Sequence, residues 1–149
     1  MLNFFDSFFK KDNDLEKMNF SLEIGPHTDL ETLPPVKDVY VTMLPGGDYK
    51  DTADKSGNLV KKGFNPVPHF PARSINNEEE LKEYVSRCKD QGVKQALVIG
   101  GSRDPIGKFD SSYQILETGL FDGIKSGIAG HPEGSPDISE QNLEKAMID

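Results

Sequence analysis

The fold of this chain is decided by a run of small apolar residues that ends abruptly in a polar loop, SGIAGHPEGSP at positions 126–136. Small side chains of this kind are typical of a strand in a crowded interior, and the Pro and Gly residues that follow cannot extend it. We therefore predict a buried strand here, with polar groups at its carboxyl end.

Three earlier segments end in the same way. SLEIGP at 21–26 places a carboxylate in an otherwise apolar strand, PVPHF at 66–70 places an imidazole, and ALVIGG at 96–101 runs into a Ser-Arg-Asp loop. In parallel α/β proteins the loops at the carboxyl ends of the strands meet at one edge, and ligands bind there. The sequence thus predicts a ligand site at that edge of a parallel sheet.

Strands and helices alternate along the remainder of the chain. The pattern predicts an α/β domain over residues 19–149, in which about five strands form part of a parallel (β/α) barrel. Residues 45–64 are polar and carry glycine, so we expect an irregular loop there. We predict strands over 19–24, 38–44, 65–70 and 93–100 before the strand at 126, and helices from a cap at Asn76 or Asn77 to Gly92, over 111–121 and over 139–148.

We predict a helical extension over residues 1–18. Four phenylalanines recur at helical spacing between positions 4 and 9, and polar residues at 6 and 7 interrupt them. The run therefore lacks the continuous apolar core of an export signal or a membrane span. We expect an amphipathic helix docked on the domain, with binding to a membrane or partner as the alternative.

Composition limits the possible partners and compartment. The 149 residues carry a formal net charge of −8, and such a surface opposes the binding of nucleic acid and of anionic membranes. The single cysteine, Cys88, cannot form an internal disulfide and occupies a core position of a predicted helix. We therefore expect a cytoplasmic protein whose cysteine is a small buried hydrophobe.

Glu23 is the first candidate for chemistry. Near the end of the first strand it would face the mouth of a barrel, where desolvation raises the pKa of a carboxyl group and allows it to deliver a proton near neutrality. A structural ion pair with Arg or Lys explains the same residue equally well.

The sequence is compatible with two other kinds of site. His27, His69 and His131 all lie at or beyond strand ends and, with Glu23, could hold the zinc or iron of a metal-dependent hydrolase. No closely spaced His pair supports this alternative. The glycine-rich loop at 100–108 does not match a P-loop or a dinucleotide fingerprint, but its backbone could still form the wall of a pocket.

The strand ends carry a resemblance to a known family. Glu23 is followed by Pro26, a strand ends in Thr42, PHFPAR covers 68–73, and GHPEGSP covers 130–136. In this order, from about residue 19 onward, these motifs resemble the methylenetetrahydrofolate reductase family. Two motifs depart from that family, because the chain has Gly-Ser where Arg-Gly-Asp is usual after strand four, and His131 where a Tyr is common.

The resemblance implies an eight-stranded (β/α) barrel that binds FAD without a Rossmann motif. It also implies hydride transfer from NAD(P)H through the flavin to methylenetetrahydrofolate, a folate-type substrate, which becomes methyltetrahydrofolate. Glu23 then corresponds to the acid that protonates the folate. The resemblance places flavin-binding positions at Thr42, His69, Arg73, Ser102, Asp104, Gly130, His131 and Ser135.

Five strands are fewer than the eight of such a barrel. The first and last strands would then be bare edges, which favour pairing with other chains. We therefore expect an incomplete barrel that is completed by a homo-oligomer or by another polypeptide. A non-catalytic module that pairs through these edges is a further alternative.

Overall fold

The computed structural model of the chain describes residues 20–131, 133, 134, 136, 139–141 and 144. Its centre is a five-stranded sheet in which every pair of neighbours is parallel and the spatial order equals the order in the chain. This confirms the predicted parallel α/β fold. Within the described residues the first and last strands each pair on one side only, so the sheet is open. The strands are β1 (Leu22–Ile24), β2 (Asp38–Val41), β3 (Asn65–Pro71), β4 (Gln95–Ile99) and β5 (Lys125–Ile128).

Three helices connect these strands, and their apolar faces pack on one face of the sheet. A crossover between neighbouring parallel strands is right-handed, so an unbroken sequential order places successive helices on the same side. Val39, Phe70 and Val98 point to this side and belong to the buried core. The helices are α1 (Tyr49–Lys61), α2 (Glu78–Asp90) and α3 (Ser112–Leu116), and two 3₁₀ turns cover Leu30–Thr32 and Ala72–Ser74.

The prediction of an irregular loop over 45–64 is wrong for most of its length, where α1 forms. Asp48 caps this helix, because its Oδ1 accepts the N–H of Lys50 at 2.8 Å. The buried face is built largely from small and polar residues, including Thr52 and Ser56. Their hydroxyls donate to the carbonyls of Thr42 and Thr52, respectively, so burial leaves neither donor unpaired. A search for apolar residues alone misses such a helix.

The predicted helix between Asn77 and Gly92 is confirmed as α2. The Asn77 side chain accepts the N–H of Glu80 at 2.9 Å, and Gly92 follows the helix at φ +84°. Its stripe of Leu81, Tyr84, Val85 and Cys88 is buried. Burial raises the pKa of the Cys88 thiol to about 12, so this cysteine remains a protonated core residue.

The prolines of β3 lie at positions where no backbone N–H is needed to pair with a neighbouring strand. The Asn65 N–H donates to the Lys37 carbonyl beside β2, and successive N–H groups alternate between the two sides of a strand. Positions 66 and 68 therefore face β4, which pairs with β3 only from His69 onward. Position 71 faces β2, whose pairing ends at Pro68. The missing bonds thus lie at the ladder ends.

A strand forms near residue 126 as predicted, but the prediction that this strand is buried is wrong. β5 begins at Lys125, and all four of its residues are exposed, with Ile128 at 53%. The helix before it is shorter than the predicted 111–121, because α3 ends at Leu116 and the chain turns through Gly119 at φ +69°. Five residues of helix cannot cover an edge strand.

Two predicted elements lie wholly or mostly outside the described residues. The extension at 1–18 lies outside the described residues, and so does most of the helix predicted over 139–148. Among the described residues, no helix has the length and apolar character required to cross a membrane.

Substitution of Gly107 tests how closely the loop after β4 packs against the backbone of Asn76. A Cβ at this position would overlap the backbone of Asn76, whereas at Gly25 the nearest atom would be 3.8 Å away. Neither glycine has a positive φ. We expect Gly107→Ala to destabilise the fold by about 1–3 kcal/mol through steric overlap. Urea unfolding checks this, with Gly25→Ala as the control, and equal midpoints for the two variants would contradict the packing.

Candidate functional site

The predicted site residues divide between the sheet and its carboxyl-edge loops. Glu23 and His69 lie inside strands β1 and β3. The remaining described candidates follow the carboxyl ends of successive strands and therefore leave the same edge of the sheet, because all strands run in one direction. They are Thr42 after β2, Arg73 after β3, Ser102 and Asp104 after β4, and Gly130 and His131 after β5.

Glu23 and His69 come together across β2. The Oε2 atom of Glu23 is 3.7 Å from Nε2 of His69, although 46 positions separate the two in the chain. Glu23 is in register with Tyr40, and Tyr40 with Val67, two positions before His69. Because alternate residues of a strand share a face, all four lie on the face opposite the helices. The Tyr40 ring lies edge-on to the imidazole at 6.1 Å between centroids.

His69 is the buried member of this group, with 8% of its surface exposed. Its Nε2 atom is buried and has no hydrogen-bond partner among the described residues. Burial lowers the pKa of His69, and the negative charge of Glu23 opposes this shift only in part. The imidazole is therefore neutral near pH 7, and the hydrogen-bonding capacity of its Nε2 atom is unused within the described residues.

Glu23 is less enclosed than predicted. Its side chain is 63% exposed, so the expected desolvation of this carboxyl group is wrong for the protein alone. The exposed carboxylate lies beside the buried imidazole, and a molecule lying over both would contact a charged group and an unpaired nitrogen together. Any desolvation of Glu23 has to come from such a molecule.

Thr42 connects the ends of the first two strands. Its N–H and its hydroxyl both donate to the Ile24 carbonyl, at 2.9 and 3.2 Å. Its own carbonyl accepts the hydroxyl of Thr52 in α1. The Thr42 hydroxyl proton is thus used inside the protein, and only the oxygen lone pairs remain for a ligand.

Arg73 organises the loop that follows β4. Its Nε donates to the carbonyl and Oδ1 of Asp110 at 3.0 and 2.8 Å, and its Nη1 donates to the Gly101 carbonyl at 3.2 Å. Its backbone N–H donates to Gly100, and its carbonyl accepts the N–H of Ile106. Sequence reasoning missed Asp110 as the partner, because 37 positions separate the two residues and no local pattern links them.

The glycines after β4 are explained by the same packing. Gly101 has φ +93°, and a Cβ there would lie 3.3 Å from the Pro71 Cβ. A residue without a side chain is therefore required where this loop crosses the end of β3. This close approach is made to protein, whereas Arg103 and Ile106 of the same loop line a pocket, as expected for this loop.

The other candidates are exposed and form no ion pair among the described residues. Ser102, Asp104, Gly130 and His131 are all exposed, and the His131 carbonyl accepts the N–H of Gly134 at 3.0 Å. Ser135 lies outside the described residues. The two halves of the predicted site therefore differ, because Glu23 and His69 form a defined pair and these loop residues are open to solvent.

The residues proposed for a metal site are divided between separate places. His27 is 3.8 Å from Asp51 with its side chain 78% exposed, whereas His69 is beside Glu23. Across the described part of the chain, no three His, Cys, Asp or Glu side chains come close enough to hold one metal ion. The hydrolase alternative thus loses its ligand set. No known protein-family model matches the chain.

The charge on Glu23 determines how His69 titrates. We expect NMR to find the His69 pKa below the ordinary 6.5, because burial disfavours the cation, and to find it lower still in Glu23→Gln. Unfolded His69 takes up a proton at a higher pH than folded His69. The contribution of neutral His69 to the free energy of unfolding is therefore fully present above about pH 6.5 and is lost as the pH falls below that value. An unchanged His69 pKa in Glu23→Gln would contradict the pairing.

Proposed function

We propose that this chain is a flavoprotein of the methylenetetrahydrofolate reductase type, which binds FAD and a folate at the Glu23–His69 pair. The observation that carries the proposal is the buried Nε2 of His69, which has no partner among the described residues and lies 3.7 Å from a carboxylate on the face opposite the three helices. The unpaired nitrogen fits a flat heterocycle with polar edges. Tyr40, whose ring lies beside the imidazole, offers an aromatic surface for the same ring system.

The arrangement of the sheet supports a barrel of this kind. In doubly wound folds the strand order reverses at one point, and helices cover both faces. Here the order is sequential from β1 to β5 with the helices on one face. We infer that the sheet corresponds to the first five units of a (β/α) barrel, whose interior face carries Glu23 and His69.

Each residue of the site has a role in this proposal. When bound, FAD supplies hydride transfer between NAD(P)H and the folate. Glu23 protonates the folate, and its carboxylate becomes desolvated when the substrate covers it. His69 holds the edge of a heterocycle through Nε2, and the Thr42 oxygen can accept a further hydrogen bond. Arg73 fixes the loop that carries Ser102 and Asp104.

The open edges of the sheet provide the route to a complete barrel. β1 and β5 each have one unpaired side within the described chain, and exposed strand edges pair readily with other strands. We propose that a second copy or another polypeptide supplies the remaining units. The buried lone cysteine suits a reducing cytoplasm.

Flavin uptake is the first test. The purified full chain, with any copurifying partner, is expected to take up FAD, bleach with NADH or NADPH without oxygen, and regain its colour with methylenetetrahydrofolate. His69→Gln is expected to weaken FAD binding at least about tenfold through loss of the Nε2 bond. His27→Gln, which changes an exposed imidazole, is the matched control. Protein that takes up no FAD removes the proposal.

Glu23→Gln separates the two half-reactions. It keeps the shape of the side chain and removes its titratable proton, so flavin reduction by nicotinamide is expected to be nearly unchanged. Folate reduction is expected to slow by about 10²–10⁴-fold, the usual contribution of a general acid. Stopped-flow measurement of both half-reactions gives the comparison, with Glu117→Gln as the exposed control. Equal slowing of both half-reactions would assign Glu23 to the flavin pocket or the fold instead.

A further inference from the structure

A pocket lies among the loops at the carboxyl edge of the sheet and shares no residue with the Glu23–His69 pair. Its volume is about 300 Å³, and it is formed where the loop after β2 and the start of α1 meet the turn after β3 and the loop after β4. Because ligand pockets usually measure about 300–1,000 Å³, this one suits a small molecule. The polar residues that line it include Asp48, Ser74, Glu80 and Arg103.

Two hydrogen-bond donors in this pocket have no partner among the residues that the structure describes. Ser74 is only 6% exposed, yet its hydroxyl bonds to no group in the described part of the chain, although it lines the pocket. Arg103 is half-buried and forms no ion pair with any described carboxylate. Both contrast with Arg73 nearby, whose guanidinium is held by Asp110. A guanidinium and a hydroxyl that line the same pocket can together hold a carboxylate.

Two carboxylates line the same pocket, and each retains one oxygen for a ligand. Asp48 accepts the Lys50 N–H through Oδ1, and Glu80 accepts the Asn76 amide through Oε2 at 2.6 Å. Neither forms an ion pair among the described residues. Both raise the pKa of Tyr49 in the pocket wall, which reaches about 12, although burial and then the side chain of Glu83 are the larger causes. The two negative charges favour a cation in the pocket.

We propose that this pocket binds a small zwitterion of the α-amino acid class with an apolar side chain. Its carboxylate pairs with Arg103 and Ser74, and its ammonium pairs with Asp48 and Glu80. Met43 and Ile106 line the same pocket and provide an apolar contact for the side chain. Ile106 is 42% exposed, so this contact lies near the pocket opening.

Ligands with a single charge fit this pocket less well. A simple carboxylic acid would bring its charge close to Asp48 and Glu80 and would be repelled by both. A simple amine would leave Arg103 and Ser74 without a partner and would be repelled by the guanidinium. Only a molecule with both charges provides a partner for all four groups. Each pairing of opposite charges is stronger in a partly desolvated site than in water.

Three matched probes test the charge requirement by calorimetry or NMR with the full chain. They are L-leucine, 4-methylpentanoate, which lacks the amino group, and isopentylamine, which lacks the carboxylate. We expect leucine to bind at least about tenfold more tightly than either of the others. If 4-methylpentanoate or isopentylamine binds equally well, or if leucine does not bind, the proposal is overturned. No flavin is involved, so the result is independent of the reductase proposal.

Two variants locate the binding in the pocket. Arg103→Gln is expected to weaken leucine binding at least about tenfold, and Ser74→Ala about three- to tenfold. Lys94→Gln removes an exposed positive charge elsewhere, and Ser56→Ala removes a buried hydroxyl that bonds to Thr52 within α1. Both controls should retain the affinity of the unmodified chain. Leucine binding that is unchanged in Arg103→Gln and Ser74→Ala would place the ligand elsewhere and overturn the assignment.

Discussion

The stacking of Phe70 on Tyr84 is the contact on which the remaining structure depends. Their ring centroids are 4.0 Å apart, Phe121 meets Phe70 edge-on at 4.9 Å, and Tyr49 lies 5.2 Å from Tyr84. Both stacked residues are fully buried, and the Tyr84 hydroxyl donates to the His69 carbonyl at 2.9 Å. This cluster joins the central strand to α1, to α2 and to the turn before β5. Because neighbouring residues of a strand point to opposite faces, anchoring Phe70 among the helices directs the His69 side chain to the other face.

That division gives the two faces of the sheet different roles. The helix face holds the apolar core and provides most of the stability through burial. The other face carries a half-buried Tyr40, an exposed Glu23 and the partnerless nitrogen of His69. Parallel sheets are usually covered on both faces. An open parallel sheet with polar groups on one face is therefore suited to a ligand, to further strands of a barrel, or to both.

Much of the fold was predictable from the sequence, and the failures have physical causes. α2 was predictable because its apolar stripe, Asn77 cap and final Gly92 all agree. α1 was missed because hydroxyls that bond to backbone carbonyls, one of Thr42 and one within the helix, replace apolar residues on its buried face. β5 resembles a buried strand in composition, but burial depends on what covers an element, and the short α3 leaves it exposed. Glu23 and His69 were predictable as strand-end groups, whereas their approach to Tyr40 depends on register, which a single sequence does not reveal.

Unpaired polar groups distinguish the two proposed sites from the surrounding framework. Arg73 and Arg103 both follow strand ends and cannot be distinguished by residue type, yet Asp110 holds one while the other lines a pocket. The same contrast separates the Thr42 hydroxyl, which donates to Ile24, from the Ser74 hydroxyl. A buried polar atom without a partner costs about 1–3 kcal/mol, and a ligand that supplies the partner recovers that cost on binding. The groups that the fold leaves unpaired are therefore the ones at which a ligand gains the most.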